Sequence, residues 1–279
     1  MVLQDESIEP IRGVPELAKQ VFLVGCAVLF YFGVRGLTEG SEAAAIANGE
    51  WILAREGDLG VDVERTVQGW TVGSHWVTTL ANWVYIWLHW PVLIGTLLWL
   101  HHTRIARYLL LRNAIFLSGA VGLVIFATFP VAPPRLLDAG FVDTVTAYSN
   151  SYRVLQPPSL VNKFAAMPSL HVGWNLLVGI ALFQSSRNTA IRVFAVVAPL
   201  LMAIAVVATG NHYVVDGAVG TVVALVGAGL ASLITRPLLH LDYRIRHWNE
   251  PGFRRERRRS AAPPVEADEL GECRSEDPT

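Results

Sequence analysis

Apolar positions along the chain gather into six runs, separated by polar and charged stretches. A helix needs about 20 mostly apolar residues to cross a bilayer. The runs at 17–37, 80–101, 110–132, 169–184, 190–209 and 213–235 meet or approach that length. The fourth is short and follows Pro168. The pattern predicts an all-α, polytopic membrane protein: a six-transmembrane-helix bundle.

An even number of spans puts both ends on one side, and basic residues say which side. Arg104 and Arg107 follow the second run, and Arg187 and Arg192 follow the fourth. Arg236, Arg244, Arg246 and the string RRERRR (254–259) follow the sixth. That face is expected in the cytoplasm of a multi-pass plasma-membrane protein, with RRERRR as a topology anchor. The opposite loops are poorer in basic residues. In the first of them, 43–54 is helix-prone, and Val61, Val67 and Trp70 continue an irregular amphipathic pattern. One or two short extracytoplasmic interfacial helices would explain it, as would a solvated helical loop. The loop 133–167 carries Pro133, Pro134, Pro157 and Pro158, with polar residues at 149–153, and is long enough for a lid over a membrane-surface site. The expected organisation is a cytoplasmic segment 1–16, a membrane catalytic domain 17–235 and a basic, then disordered, tail 236–279.

Composition strengthens the membrane reading. Of 279 residues, 52% are hydrophobic and only 16% charged, against about 25% charged in a soluble domain. Mean hydropathy is +0.40. Net charge is −1, so nothing points to nucleic acid or another acidic partner. Cys26 sits in an apolar run and Cys273 in the polar tail, so no disulfide is expected. Asp5, Glu6 and Glu9 make a poor basic leader, and the first run is read as a retained span.

The second run is aromatic, with Trp83, Tyr85, Trp87, Trp90 and Trp99. Pro91 predicts a kink, and His89 reads as a hydrogen-bonded structural histidine in preference to a proton relay. Gly217 and Gly220 predict close approach of the sixth span to a neighbour.

Three strings fall at the same membrane depth on the outer side: FPVAPPRLL (129–137), FAAMPSLHVGW (164–174) and TGNHYVVDG (209–217). His212 and Asp216 are four apart, on one face of a helix. A carboxylate there can fix the imidazole tautomer and stabilise positive charge, as nucleophilic catalysis requires. Pro168 suits a helix first turn. Ser169 and the free N–H groups beside it form a ready phosphate site. His171 in that turn can donate a proton to a leaving oxygen. Arg135 offers a bidentate cation and Lys163 a second one. Arg112 lies about 30 Å away along its helix and is excluded.

PSLH at 168–171 and HYVVD at 212–216 resemble the second and third signature motifs of the type-2 phosphatidic acid phosphatase superfamily. The strings around them are most similar to the branch that includes inositol phosphorylceramide synthase. The resemblance covers roughly 110–235. It implies a membrane lipid phosphatase or phosphotransferase acting on a lipid phosphate or phospholipid, without metal or cofactor. It further implies His212 as the nucleophile that forms a phosphohistidine, Asp216 as its orienter, His171 as proton donor, and Ser169 with its neighbouring backbone on the phosphate oxygens. The sequence departs from the family's pattern. Thr128 stands where the first motif has Lys, Leu136 where it has Pro, and Ala205 and Val206 where the third motif begins Ser-Arg. Arg135, Lys163 and Asn211 are the candidates to compensate.

Two other readings use the same residues. His171, His212 and Asp216 form a possible zinc set, and the groove could serve a non-enzymatic lipid-binding or transport protein.

Overall fold

The computed structural model describes residues 14–37, 40–148 and 162–246. The positions named above at 149–153, 157, 158, 254–259 and 273, and most of segment 1–16, lie outside the described residues.

The order is α1 (Val14–Leu37), α2 (Glu42–Leu59), α3 (Glu64–Val72), α4 (His75–Trp87), α5 (Trp90–Thr103), α6 (Ile105–Thr128), a 3₁₀ turn (Pro134–Leu136), α7 (Thr144–Tyr148), α8 (Leu170–Ser185), α9 (Thr189–Ala208) and α10 (Val214–Arg246). The regular secondary structure of the described residues is helical apart from one isolated bridge, Val131 to Ala165. The chain divides into two units, Met1–Thr235 and Arg236–Thr279. The core and site described below lie in the first; in the second, residues 236–246 are helical.

Among the described residues, four helical stretches are long and apolar enough to cross a membrane: His75–Thr103, Ile105–Thr128, Thr189–Ala208 and Val214–Leu239. The other two apolar runs are helical as well, α1 over 24 residues and α8 over 16. Large apolar side chains face outward from these stretches: Leu80, Val124, Leu200, Val222 and Leu233 are each at least 60% exposed. Such a belt suits hydrocarbon surroundings, where lipid covers it.

Local chemistry sets the boundaries. The second apolar run is broken at Leu88–His89, with Pro91 in the first turn of α5, because proline supplies no N–H to continue the ladder. The third run ends earlier than the sequence pattern predicts. Helix α6 stops at Thr128, not Ala132, because Pro130 pushes Phe129 to φ −139°, ψ 74°. Asn188 caps α9, its side chain accepting from the N–H groups of Ala190 and Ile191.

Helix α8 occupies the middle of the bundle and buries ten of its residues, packing on α5, α6 and α9. It also meets α10 backbone to backbone. A methyl on Gly173 would collide with the Gly220 carbonyl, and one on Gly220 with the Ser169 carbonyl. This close approach brings the start of α8 against the start of α10.

Candidate active site

The segment after α6 fixes the site's floor. Val131 N–H donates to the Phe164 carbonyl at 2.8 Å, and Ala166 N–H donates back to Val131 at 3.2 Å. Ala132 N–H is held by the Ala45 carbonyl of α2 at 2.9 Å. Ala166 is thereby stationed with its carbonyl facing His212, whose Nδ1 lies 2.7 Å away. Asp216 Oδ2 is 3.3 Å from the same nitrogen and accepts Tyr213 N–H at 3.0 Å. Both neighbours of Nδ1 are acceptors, so Nδ1 carries the proton and Nε2 keeps its lone pair.

The cavity that His212 lines is about 50 Å³. At roughly 15 Å³ per water, that is room for a group of a few heavy atoms. His171, Arg135, Lys163 and Asn211 line it too. The rings of His171 and His212 are 5.9 Å apart, centre to centre. Arg135 sits in the 3₁₀ turn; its N–H donates to the Gly210 carbonyl, and its Nε pairs with Asp143 at 3.2 Å. Gly210 has φ 69°, a conformation that favours glycine, and turns the chain between α9 and His212. Asn211 is buried, its side-chain amide donating to Thr209 Oγ1 at 2.9 Å. Lys163 is exposed at the cavity's edge.

Two of the sequence-selected residues stand behind the cavity. Asp216 is 0% exposed and its Oδ1 has no partner among the described residues. Ser169 is also 0% exposed; its N–H donates to the Asp216 carbonyl at 2.9 Å, and its Oγ has no hydrogen-bond partner among the described residues. The first turn of α8, beginning at Leu170 without a side-chain cap, opens at the cavity that Leu170 and His171 line. Its N–H groups and dipole favour an anion there. Thr128 folds its hydroxyl onto the Val124 carbonyl at the end of α6.

Sequence reasoning did not connect five side chains to this centre. Tyr85 stacks on His171 at 4.6 Å and 23°. His89 lies against His171 from the α4–α5 break, 4.4 Å between ring centres. Asn175 donates both to His89 Nδ1 (3.0 Å) and to the His171 carbonyl (2.8 Å). His89 therefore has the hydrogen bond its sequence reading expected, but its ring also braces His171. Glu56 and Glu64, from α2 and α3, reach the first turn of α10: Glu56 Oε1 accepts Val215 N–H at 2.7 Å and Glu64 Oε1 accepts Val214 N–H at 2.9 Å. The helix-prone pattern at 43–54 signalled α2, but nothing in it signalled this contact.

An apolar cavity of about 250 Å³ adjoins the site. It shares Tyr31, Trp90 and Trp174 with the first cavity and continues between α1, α5 and α6, past Leu97, Phe116 and Gly119. Among the described residues, no three His, Cys, Asp or Glu side chains gather into a metal-holding group. Asp216 stands behind His212, at the Nδ1 edge of its ring, instead of beside it.

A family model described as "PAP2 superfamily" matches residues 50–230. No curated protein and no solved structure matches the chain.

Proposed function

The chain belongs to the PAP2 superfamily, and from that premise we propose that it is a metal-independent membrane lipid phosphatase or phosphotransferase that works through a phosphohistidine on His212. Membership itself carries the coarser statement, phosphatase-type chemistry on lipid phosphates in a membrane protein. The observation that carries the finer one is the seat of His212. Its Nδ1–H is held by Ala166 and Asp216, which leaves Nε2 as the nucleophilic atom of a ring lining the cavity.

Attack by Nε2 on phosphorus forms the N–P bond and breaks the P–O bond to the lipid. His171 gives its proton to the departing oxygen. Charge developing on the His212 ring is balanced by Asp216, and charge on the phosphoryl oxygens by Arg135, Lys163, Asn211 and the first turn of α8. Ser169 contributes through its place at the start of that turn. The neutral His171 then takes a proton from the incoming hydroxyl, whose oxygen displaces Nε2 and restores the enzyme. Water as acceptor gives hydrolysis, and an alcohol gives head-group transfer. The likeness of FAAMPSLHVGW and TGNHYVVDG to the inositol phosphorylceramide synthase branch favours an inositol-phosphate-type head group.

The apolar cavity that adjoins the site supports a substrate with a hydrocarbon chain. The four long apolar helices, completed by α1 and α8, support six crossings. The arginines at 104, 107, 187 and 192 support a reading with their loops in the cytoplasm and the site on the extracytoplasmic face of the plasma membrane.

The test is turnover of dioleoyl phosphatidate, and of a phosphoinositide with and without free inositol, by purified wild type and His212→Ala in chelator. Turnover by wild type alone supports His212 chemistry, and the products separate hydrolysis from transfer. Equal turnover by the two proteins removes it, and loss of wild-type turnover in chelator returns the zinc reading.

A further inference from the structure

Three consecutive N–H groups at the start of α10 each end on a carboxyl group. Tyr213 N–H goes to Asp216 Oδ2 at 3.0 Å, Val214 N–H to Glu64 Oε1 at 2.9 Å and Val215 N–H to Glu56 Oε1 at 2.7 Å. One anion suffices to balance a helix N-terminus, whose charge is about half a unit. Here Glu56 is 0% exposed, Glu64 1% and Asp216 0%. Three buried anions without a cation would carry a large desolvation and repulsion cost. The groups bearing on Glu56 are acidic, Glu64 from α3 and Asp216 from α10. Tyr213 lies among these three carboxyls and Glu50, and His212 is engaged with Asp216. Arg65, next to Glu64 in sequence, donates to the Ala139 carbonyl.

The Glu56 and Glu64 carboxyls are neighbours, because they accept from the adjacent N–H groups of Val215 and Val214. A bond between two carboxyl groups needs a proton on one of them. The Oε2 atom of each is buried with no hydrogen-bond partner among the described residues, so each has an open position that a proton between them would fill. We propose that Glu56 and Glu64 share one proton between their Oε2 atoms and act as a pair of positioning residues, fixing the first turn of α10 so that Asp216 and His212 hold their reactive geometry. The role rests on the reading of His212 as nucleophile; the shared proton does not.

Burial, then the carboxyl of Glu64, push the Glu56 carboxyl up to about 8. A group whose pKa is raised on folding contributes fully at acid pH, and that contribution is lost as pH rises through the folded value. Above about pH 8 the pair becomes two adjacent buried anions, and the turn they hold loosens. A plain pair of helix caps would have no such pH dependence.

The experiment uses the full chain in detergent as wild type, Glu56→Gln, Glu64→Gln and Glu56→Ala. It reads kcat and KM on dioleoyl phosphatidate, and melting temperature, from about pH 6 to about pH 9. Glutamine at 56 keeps an acceptor for Val215 N–H and offers Glu64 a permanent donor. The expected result is an alkaline fall in wild-type kcat near pH 8 with little change in KM. Glu56→Gln should lack that fall and recover most of the kcat, about tenfold or more, that Glu56→Ala loses. Melting temperature should drop over the same interval in wild type and stay level in Glu56→Gln. Identical pH dependence in wild type and both glutamine variants would overturn the shared proton. If Glu56→Ala fails to fold, the glutamine variants decide. If wild type turns over no lipid phosphate, the catalytic reading fails by itself, and the melting curves alone confirm or overturn the proton.

Discussion

The imidazole Nδ1 of His212 lies 2.7 Å from the backbone carbonyl of Ala166 and 3.3 Å from the carboxylate of Asp216. The closer orienter is thus main chain, supplied by a segment 46 residues away in sequence. Asp216 adds charge to a tautomer the carbonyl already favours, and it also holds Tyr213 N–H. Asp216→Asn should therefore lower kcat by about 10² to 10³, less than His212→Ala, with KM little changed. Steady-state kinetics on a lipid phosphate checks the order. An asparagine variant as inactive as His212→Ala would show that the carbonyl does not orient the ring.

His171 is clamped between Tyr85 and His89, and its assigned work is protonation of the leaving oxygen. Its loss should matter in proportion to how poor the leaving group is. His171→Ala and His89→Leu should lose about 10² or more in turnover of an alkyl phosphate while losing far less on the first step with p-nitrophenyl phosphate, measured as burst release of nitrophenolate. Equal losses on both substrates would assign His171 to binding.

Arg135 meets the cavity with its guanidinium steadied by Asp143 at 3.2 Å. Arg135→Ala should raise KM and weaken inhibition by inorganic phosphate by about tenfold, roughly 1.4 kcal/mol. Asp143→Ala should give a smaller effect in the same direction, because it loosens the side chain without removing the charge. Unchanged phosphate inhibition in Arg135→Ala would leave the anion to Lys163 and the first turn of α8.

The cavity beside Trp174 narrows at Gly119, where an added Cβ would lie 3.3 Å from the Trp174 ring. Gly119→Leu fills space that a hydrocarbon chain would use. The ratio of kcat/KM for a long-chain phosphatidate to that for p-nitrophenyl phosphate should fall about tenfold, the cost of one or two lost methylene contacts. An unchanged ratio would separate the cavity from the substrate's chain.

Much of this architecture was legible because bilayer crossing demands long apolar runs. Each of the six runs is helical over most of its length, and Pro91 marks the break that brings His89 to His171. The third run was placed too far along the chain because hydropathy continues through Val131 and Ala132 after Pro130 has ended the helix. Helical spacing paired His212 with Asp216 correctly as neighbours. It carried no information about Ala166, whose part is a carbonyl, or about Glu56 and Glu64, which meet α10 across 159 and 150 residues. Acidic residues in a loop segment carry no pattern that points to a distant helix; only the packed structure puts them at the first turn of α10. Ser169 reads in sequence, with the N–H groups beside it, as a phosphate site, but its hydroxyl is buried without a partner among the described residues and its own N–H ties α8 to Asp216.

The most direct test of the central claim is to trap the covalent enzyme. His171→Ala, given p-nitrophenyl phosphate in chelator, should complete the first step but lack the base for the second, so the phosphoryl group should accumulate. Alkaline quench and peptide mass mapping should place one acid-labile phosphoryl group on His212, absent from the His171→Ala/His212→Ala double variant. A phosphoryl group on any other side chain, or product burst in the double variant equal to that of His171→Ala, would contradict nucleophilic catalysis by His212.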